Sequence, residues 1–342
     1  MVKRLLVLIV ALVLIAAACG DDDEAVTEGR LQQVIDRGTL SCGVNDTVTG
    51  FGFVEADGSF SGFDVEFCRV VAAAVLGDAN AVEFTPLTTA QRFTSLQAGE
   101  IDVLIRNTTW TASRDGTEGA TFLHTTFYDG QGMMVRSDSG FTTMEDMTNT
   151  TICVLSGTTT ELNLTARFAN IVGFTPLTFE SADELRPAFV AGQCDGWTSD
   201  KSQLASFKPG LEDEGIAVTI LEETFSKEPL GPVVADGDSQ WAQVVDWAVL
   251  ATIQAEEFGI TSGNIGTFAG TDDGSIARFL GQTEDDPGLG LPRDFATQII
   301  SQVGNYAEIY ERNIGPNTPL GLVRGVNALW TDGGLLYAPP FR

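Results

Sequence analysis

The sequence predicts an α/β protein with two similar lobes, and three observations lead to this prediction. The chain has 342 residues, which favours two domains over one. Residues 39–105 and 150–199 share one order of elements: strand, helix, strand, helix, strand. Extended segments with Gly and Pro follow both stretches, at 127–139 and 227–241. We therefore expect two mainly parallel sheets flanked by helices, with a chain that crosses to the second lobe and returns.

The first lobe begins with alternating strand and helix patterns. The helix has Phe63, Phe67 and Val70 on one face, and Gly77 is a stop signal. The expected elements are, in order, strand TLSCGV (39–44), helix FDVEFCRVVAAAVLG (63–77), strand AVEFTPL (81–87), helix TAQRFTSLQAGE (89–100) and strand IDVLI (101–105).

The second lobe repeats this order, and Ser181-x-x-Glu184 reads as a capping box at the start of its second helix. The expected elements are strand TTICVL (150–155), helix TELNLTARFAN (160–170), strand TPLTF (175–179), helix SADELRPAFVAGQ (181–193) and strand CDGWTS (194–199). A long helix at 241–259 and helical pieces such as 294–313 follow the return crossing. We expect the first lobe to comprise residues 30–130 and 232–342, and the second lobe residues 131–231.

The N-terminus has the pattern of an export signal. MVKR precedes the apolar run LLVLIVALVLIAAA, which is too short for a confident membrane span. The run ends at Cys19, as in a bacterial lipoprotein signal, although Ala16 stands where Leu or Val is usual. We expect a signal peptide at 1–19, an acidic tether at 20–29 and a lipid anchor on Cys19 as the sole membrane attachment. The alternative is an ordinary signal peptide cut after an alanine.

Charge and cysteines exclude several classes of partner. The net charge of −28 argues against nucleic acid and against an anionic membrane surface. Four cysteines follow Cys19, and three pairings are open; local pairing, Cys42–Cys68 and Cys153–Cys194, is favoured if each pair lies within one lobe. The chain has no CxxC and one histidine, His124, so neither a zinc site nor another cofactor is expected.

Polar residues collect where the predicted strands end, which is where ligands bind in open α/β sheets. Arg114 offers a planar fork for a carboxylate, and Asp200 offers a partner for an ammonium group. The free N–H groups of the helix after Gly157 also favour an anion. Alone, each residue has a structural alternative: a surface salt bridge, a helix cap or core packing. Together they predict a site for a zwitterion. Other candidates at these strand ends are Asn45, Phe51, Asn107, Thr109, Trp110, Thr158 and Thr159.

Several stretches resemble the solute-binding proteins of bacterial ABC transporters for polar and general L-amino acids, which have the type II periplasmic-binding-protein fold. The stretches are CGVND, GFDVEFCRVVAAAVLGD, RFTSLQAGEIDVLIRNTTWTASRD, FYDGQGMMV, CVLSGTTTELNL, AGQCDGWTSDKSQL and the tail from QVGNYAEIYERNIGP to YAPP. They span residues 29 to 341. The resemblance implies an exported, monomeric binding protein, on the outer face of the cytoplasmic membrane or in a periplasm, which delivers L-amino acids to a transmembrane permease with a cytoplasmic ATPase.

The resemblance also implies residue roles. Arg114 should bind the α-carboxylate with the backbone N–H groups of Thr109 and Thr159, and Asp200 should bind the α-ammonium with Asn107 and Thr109. An aromatic at Phe51 should cover the ligand, while Asn45, Asp46 and Arg92 should contact its side chain. Rival functions are a cyclohexadienyl dehydratase on the same fold, a sensor input and a binder of an organic acid without an ammonium group.

Overall fold

The computed structural model describes residues 29–168 and 175–342, and its first part builds one sheet with its helices. Short 3₁₀ turns are left unlabelled here. The elements are, in order, α1 (Arg30–Arg37), β1 (Leu40–Val44), β2 (Thr47–Val48), β3 (Gly52–Val54), β4 (Phe60–Ser61), α2 (Phe63–Leu76), β5 (Val82–Pro86), α3 (Arg92–Gln97), β6 (Val103–Leu104), α4 (Ala112–Thr117) and β7 (Ala120–Phe122).

The chain then passes through a short strand into a second sheet and returns. The elements are β8 (Phe127–Asp129), β9 (Gln131–Arg136), β10 (Thr151–Leu155), α5 (Thr159–Phe168), β11 (Thr175–Phe179), α6 (Ala182–Val190), β12 (Gly196–Asp200), α7 (Lys201–Asp213), β13 (Val218–Ile220), β14 (Glu228–Leu230), β15 (Val233–Ala235), α8 (Ser239–Glu257), α9 (Gly274–Phe279), α10 (Phe295–Gln302) and α11 (Tyr306–Asn313). The last two residues of the helix predicted at 160–170 lie outside the described residues.

The two large sheets have matching topology, which confirms the predicted two-lobed α/β fold. The first has the order β5-β1-β6-β15-β7 and the second the order β11-β10-β12-β9-β13. In each, four strands run one way and one strand, β15 or β9, runs antiparallel to its neighbours. The antiparallel strand is in each case the one that enters its sheet from the other lobe.

A small two-stranded sheet, β8 with β14, joins the lobes. The strands are antiparallel, and Asp129 is directly opposite Glu228. Because β8 precedes the second sheet and β14 precedes the return to the first, these strands are the two segments of the hinge. Acidic residues therefore face each other across the ladder of the hinge.

Helix α2 is the centre of the first lobe. It is apolar on nearly all sides and packs between β1, α8 and α10. Its end is set by Gly77 with φ +70°, a left-handed conformation that glycine adopts without steric strain. The side chain of Trp241 in α8 is buried and donates to the Asp102 carbonyl at 2.8 Å. These contacts fix the return helix against the amino end of β6, opposite the sheet edge that carries the site.

Two regions differ from the sequence prediction. The helical pattern at 294–313 is broken into α10 and α11, because Gly304 has φ +97° and Asn305 caps α11 through the Glu308 N–H at 2.9 Å. The loop after β1 is a three-stranded antiparallel sheet, β2-β3-β4, whose strands of two or three residues are too short for a periodic signal.

Each lobe contains one disulfide, and the two disulfides have the local pairing that the sequence favoured. Cys42–Cys68 ties β1 to α2, and Cys153–Cys194 ties β10 to the turn before β12. In the chain-entropy model, loops of 26 and 41 residues give roughly 3–4 kcal/mol each to the free energy of unfolding. Each bridge anchors a central strand that ends at the cleft between the lobes.

The predicted signal peptide, its Cys19 and residues 20–28 of the predicted tether lie outside the described residues. Within residues 29–168 and 175–342, no helix combines the length and the apolar character that crossing a bilayer requires.

Candidate functional site

A polar cleft of about 410 Å³ lies between the two sheets, at the carboxyl ends of β1, β6, β10 and β12. Eight of the eleven residues that were predicted to contact the ligand line it. The lining residues are Asn45, Thr89, Arg92, Arg106, Asn107, Thr109, Arg114, Leu155, Thr158, Thr159, Thr160, Ser199, Asp200 and Gln203.

Arg114 lies in α4 and its side chain is buried on the first-lobe wall of the cleft. It is 8 % exposed, its Nη1 donates to the Thr109 carbonyl at 3.0 Å, and its guanidinium lies 5.8 Å from the centre of the Phe93 ring. It forms no salt bridge with any carboxylate of the described chain. Burial lowers the pKa of Arg114, against the opposing effect of Glu228 and Asp200. The guanidinium is therefore suited to an added anion.

The second-lobe wall presents the N-terminus of α5. The Thr158 hydroxyl accepts the Glu161 N–H at 3.0 Å, and the Glu161 carboxylate accepts the Gly157 N–H at 2.8 Å. These two bonds cap the start of α5. They leave the backbone N–H groups of Thr159 and, across the cleft, Thr109 without an acceptor among the described residues. Free N–H groups at a helix start favour a negative charge.

Glu228 of the hinge strand β14 contacts this same wall, although no sequence pattern pointed to it. It is almost fully buried and accepts from the Thr159 hydroxyl at 2.8 Å and from Asn163 Nδ2 at 2.8 Å. The Thr159 hydroxyl also approaches the Thr109 hydroxyl at 3.4 Å, so the two lobes touch here. Glu228 thus fixes the rotamer of Thr159 in α5.

Asp200 ends β12 and occupies the N-cap position of α7. Its side chain makes no cap hydrogen bond to that helix, and it is 6 % exposed at the wall of the cleft. Burial, followed by the nearby charges of Asp129 and Glu228, raises the pKa of Asp200 well above its usual range, against Arg114 and Arg92. A cation next to this carboxylate would offset the cost of its burial.

Asn107 has a left-handed backbone conformation, with φ +41°, which few residues other than glycine adopt. Its N–H donates to Asp64 Oδ2 at 2.8 Å, and its side-chain oxygen accepts from Asn45 Nδ2 at 2.7 Å. Its own Nδ2 is buried and has no hydrogen-bond partner in the described chain. The strand end is therefore held from behind by Asp64, and its polar groups face the cleft.

Asp64 makes a testable contribution to stability. Burial raises the pKa of Asp64 from 3.8 to about 7, against its hydrogen bond from Asn107 and the charge of Arg106. Because the folded pKa lies above the unfolded one, ionisation opposes folding, and stability falls as pH rises from about 4 to about 7. In urea unfolding, the free energy of unfolding of Asp64→Asn should rise relative to that of the wild type by on the order of 2–4 kcal/mol over this pH range. Parallel pH profiles would contradict this role of Asp64.

A matched control for this experiment is Asp57, an exposed aspartate. Hydrogen bonds from Ser59 lower the pKa of Asp57. Replacing Asp57 with asparagine should therefore lower the free energy of unfolding relative to the wild type as pH rises toward 3.8, and the two profiles should run parallel between about pH 4 and about pH 7. A gain for Asp57→Asn would mean that the profile reports net charge and not burial.

Two further arginines line the cleft. Arg92 is 4 % exposed, its Nη2 reaches the Gly157 carbonyl of the other lobe at 3.5 Å, and its Nε has no partner in the described chain. Burial, then the charges of Arg114 and Arg106, lower the pKa of Arg92 well below its usual range. Arg106 donates through Nε to the Leu87 carbonyl at 2.6 Å. Arg106 follows the predicted strand 101–105 directly and was not among the residues predicted to bind the ligand.

Three predicted residues do not line the cleft: Asp46 lines the wider chamber next to it, and the predictions for Phe51 and Trp110 are corrected. Phe51 is fully buried and packs edge-to-face with Phe63 and Phe127, at centroid distances of 5.8 and 5.3 Å. Trp110 is 44 % exposed and stacks on Phe122 at 6.4 Å, on the outside of the lobe. An aromatic residue in a loop looks the same in sequence whether it covers a ligand or completes a core.

The cleft opens into a second, wider chamber of about 720 Å³. The two share Asn45, Thr89, Arg106, Leu155 and Gln203, and the chamber continues between the two lobes. Its other walls come from the loops 46–48 and 86–91 of the first lobe and from residues 180–183 of the second. A ligand held in the cleft therefore has room for a side chain of variable length.

Comparison with known proteins agrees with this architecture. The family model of bacterial extracellular solute-binding proteins, family 3, matches residues 40–316. The chain is 47 % identical over 333 residues to the general L-amino acid-binding periplasmic protein AapJ of Rhizobium johnstonii, with 96 % of this chain and 97 % of that protein covered. It is 47 % identical over 322 residues to the glutamate/glutamine/aspartate/asparagine-binding protein BztA of Rhodobacter capsulatus, covering 93 % and 95 %.

A solved structure is similar over nearly the whole chain. It is an ABC-transporter periplasmic binding protein from Brucella ovis with glutathione bound, 45 % identical, with a TM-score of 0.88 and coverage of 92 % of this chain and 100 % of that chain. The matching sheets, the two-strand hinge and the polar cleft between the lobes thus occur together with a family match over most of the sequence. The chain belongs to the bacterial extracellular solute-binding proteins of family 3.

Proposed function

We propose that this protein captures L-amino acids between its two lobes and delivers them to the permease of an ABC importer. One observation carries the proposal. A buried arginine without a carboxylate partner in the described chain, Arg114, and a buried aspartate without a cap bond, Asp200, line one small cleft. An α-amino acid carries the two complementary charges on adjacent atoms, so a single ligand offsets the burial of both side chains.

The residue roles follow from these groups. Arg114 binds the α-carboxylate together with the N–H groups of Thr109 and Thr159, and Thr158 caps the helix that presents Thr159. Asp200 binds the α-ammonium. These roles are supported by the free N–H groups, by the burial of the two charged side chains and by the names of the relatives, which are amino-acid-binding proteins.

Asn107, Asn45 and Arg92 complete the proposed site. The Asn107 carbonyl and the Thr109 hydroxyl assist Asp200 with the ammonium group. Asn45 orients the Asn107 side chain through its hydrogen bond of 2.7 Å. Arg92, with an unpaired Nε, faces the ligand side chain where the cleft meets the second lobe.

Ligand capture uses closure of the lobes about the hinge strands. Two contacts in the structure already bridge the cleft: Thr159 to Thr109, at 3.4 Å, and Arg92 to Gly157, at 3.5 Å. Because the anion-binding groups come from both lobes, the ligand binds the closed arrangement better than an open one. It therefore shifts the population toward the closed form, and the closed form docks on the permease.

Specificity for the side chain is broad in this proposal. The wide chamber beyond the cleft has mixed polar and apolar walls and accepts side chains of different length. The names of two relatives support this breadth: AapJ is a general L-amino acid-binding protein, and BztA is named for glutamate, glutamine, aspartate and asparagine. The chamber also favours a second ligand, glutathione, since a γ-glutamyl group retains a free α-amino acid end and its remaining residues would extend into the chamber. The glutathione bound to the Brucella ovis protein supports this candidate.

The cellular setting completes the proposal. The chain is exported through its signal at 1–19 and is lipid-anchored through Cys19, with residues 20–29 as the tether. The protein acts as a monomer and docks on the permease subunits, which work with their ATPase. One lobe comprises residues 30–130 and 232–342, and the other comprises residues 131–231. It is a binding protein and not a dehydratase, which agrees with the names of its relatives. His124, a candidate general acid by residue type, does not line the cleft.

The test is a thermal-shift panel on the mature chain, unfolded and refolded to remove carried-over ligand. Ligands that bind the native state must raise the melting temperature. L-amino acids and glutathione should raise it, and D-amino acids and 2-oxo acids should not. If the protein melts cooperatively and no L-amino acid shifts its melting temperature, the proposal is wrong. A shift with 2-oxo acids alone would favour an organic-acid receptor.

A further inference from the structure

The start of α7 presents an unusual arrangement of two aspartates. Asp200 stands at the N-cap position, where an aspartate ordinarily accepts the N–H of the second or third helical residue. Its side chain makes no such bond and lies instead at the wall of the cleft. Something else must therefore satisfy the first N–H groups of α7, because they lie in a buried part of the molecule.

The hinge strand β8 supplies the missing acceptors. Asp129, its last residue, accepts the N–H of Ser202, the second residue of α7, through Oδ2 at 3.1 Å. Its other oxygen accepts the Gly130 N–H at 2.7 Å, which fixes the rotamer of Asp129. The Gly130 carbonyl accepts the N–H of Lys201, the first residue of α7, at 2.9 Å. The Ser202 N–H, one of the two donors that an N-cap aspartate ordinarily reaches, is thus bonded to the hinge, and so is the N–H of the first helical residue.

We infer that Asp129 is a positioning residue for ligand binding: by capping α7 from the hinge strand, it keeps the Asp200 carboxylate turned toward the cleft. This inference rests on the proposed function, in which Asp200 binds the ligand ammonium. Ser202 has one N–H, so Asp129 and Asp200 compete for it. If the Asp129 carboxylate is removed, Asp200 is the nearest acceptor and turns to cap its own helix.

The charges around Asp129 argue that it has such a role. Asp129 is paired across the hinge with Glu228 and lies near Asp200, so three carboxylates share one buried region. Burial raises the pKa of Asp129 to about 6, against its hydrogen bonds from Ser202 and Gly130. Without a structural task, a carboxylate here would only oppose folding and repel Asp200. The bonds to Gly130 and Ser202 are the compensation that the structure offers.

The experiment compares two variants with a matched pair of probes. Asp129→Asn keeps a side-chain oxygen for the Ser202 N–H, while Asp129→Ala removes it. L-glutamate and 2-oxoglutarate share a carbon skeleton and differ at the α-amino group. By titration calorimetry, with thermal shift at high concentration for weak binding, Asp129→Ala should weaken L-glutamate binding by about tenfold or more, because a buried charged pair is disrupted. Asp129→Asn should stay within about threefold, and 2-oxoglutarate binding should change less than L-glutamate binding in both variants.

A control variant changes Asp195, at the opposite end of β12 from Asp200. Asp195 directly precedes β12, and its carboxylate accepts the Thr151 N–H at 2.8 Å. Asp195→Ala also removes a carboxylate that caps a backbone N–H, yet it should leave L-glutamate affinity unchanged. Equal losses in Asp129→Asn and Asp129→Ala would overturn the capping role, as would equal losses for the two probes or no loss at all.

A crystal structure of Asp129→Ala separates this inference from the proposed function. If the wild type binds no α-amino acid, the proposed function has failed, but the position of Asp200 in the variant still decides the inference about the cap. An Asp200 oxygen within hydrogen-bond distance of the Ser202 N supports it. An Asp200 side chain that keeps its wild-type orientation overturns it.

Discussion

Arg114→Ala should weaken the binding of every L-amino acid by at least about 100-fold, the largest effect we expect from a single substitution. Arg114 is 8 % exposed and forms no salt bridge with a carboxylate of the described chain, so the ligand carboxylate would be the one carboxylate in direct contact with its guanidinium. Truncation would leave that carboxylate buried beside the N–H groups of Thr109 and Thr159 alone. Titration calorimetry on refolded, ligand-stripped protein measures the loss.

Two further variants make the Arg114 result specific. Arg114→Lys keeps the charge and loses the fork, so it should bind about tenfold or more weakly than the wild type. Arg293→Ala removes an exposed arginine whose salt bridge to Glu284, at 2.8 Å, lies far from the cleft in the C-terminal region, and should bind normally. If Arg114→Ala stays within about threefold of the wild type, the carboxylate is held elsewhere, with Arg92 as the first candidate.

The strand ends could be predicted from sequence because they follow from topology. Parallel strands meet at one edge of a sheet, so Asn107, Arg114 and Asp200 were expected to converge without any knowledge of side-chain packing. The strand and helix patterns that set this topology, such as the apolar face of α2 and its stop at Gly77, are local signals. Long-range organisation thus follows from short-range periodicity wherever elements are long enough to show it.

Packing inside the lobes could not be predicted in this way. Phe51 packs in an aromatic core and Trp110 stacks on the outer surface, although both follow strands as the true lining residues do. The hydrogen bonds of Glu228 and Asp129 depend on the hinge register, which pairs residues 99 positions apart in sequence. No periodicity in the sequence reports that register, so the buried acids of the hinge were missed.

The proposed function includes a preference for a zwitterion over a simple anion, and the acids of the hinge offer a physical reason for it. Arg114, Arg92 and Arg106 would by themselves attract any carboxylate. Asp200, Asp129 and Glu228 lie in the same buried region, and their negative charges oppose binding of a ligand that has no positive charge. Selectivity therefore comes from repulsion of simple acids as well as from attraction of the ammonium group.

Asp200→Asn tests this view because its two expected effects have opposite signs. Affinity for L-glutamate should fall by about 100-fold, since the ammonium group loses its charged partner, while 2-oxoglutarate should bind the same or better. The ligand-free variant should be more stable than the wild type, because burial raises the pKa of Asp200 and its ionisation opposes folding above pH 3.8. This gain should be present at neutral pH and vanish as the pH falls to about 4.

Urea unfolding at pH 4 and pH 7.5, together with calorimetry for the two probes, measures both effects of Asp200→Asn on one sample. A variant that loses both stability and L-glutamate affinity would show that Asp200 is a structural residue of the second lobe. A variant that gains stability and loses affinity for L-glutamate but not for 2-oxoglutarate would show that the protein retains a destabilising buried charge because ligand binding requires it. The second result requires that the carboxylate be aimed at the cleft, which is the orientation that the bond between Asp129 and Ser202 allows.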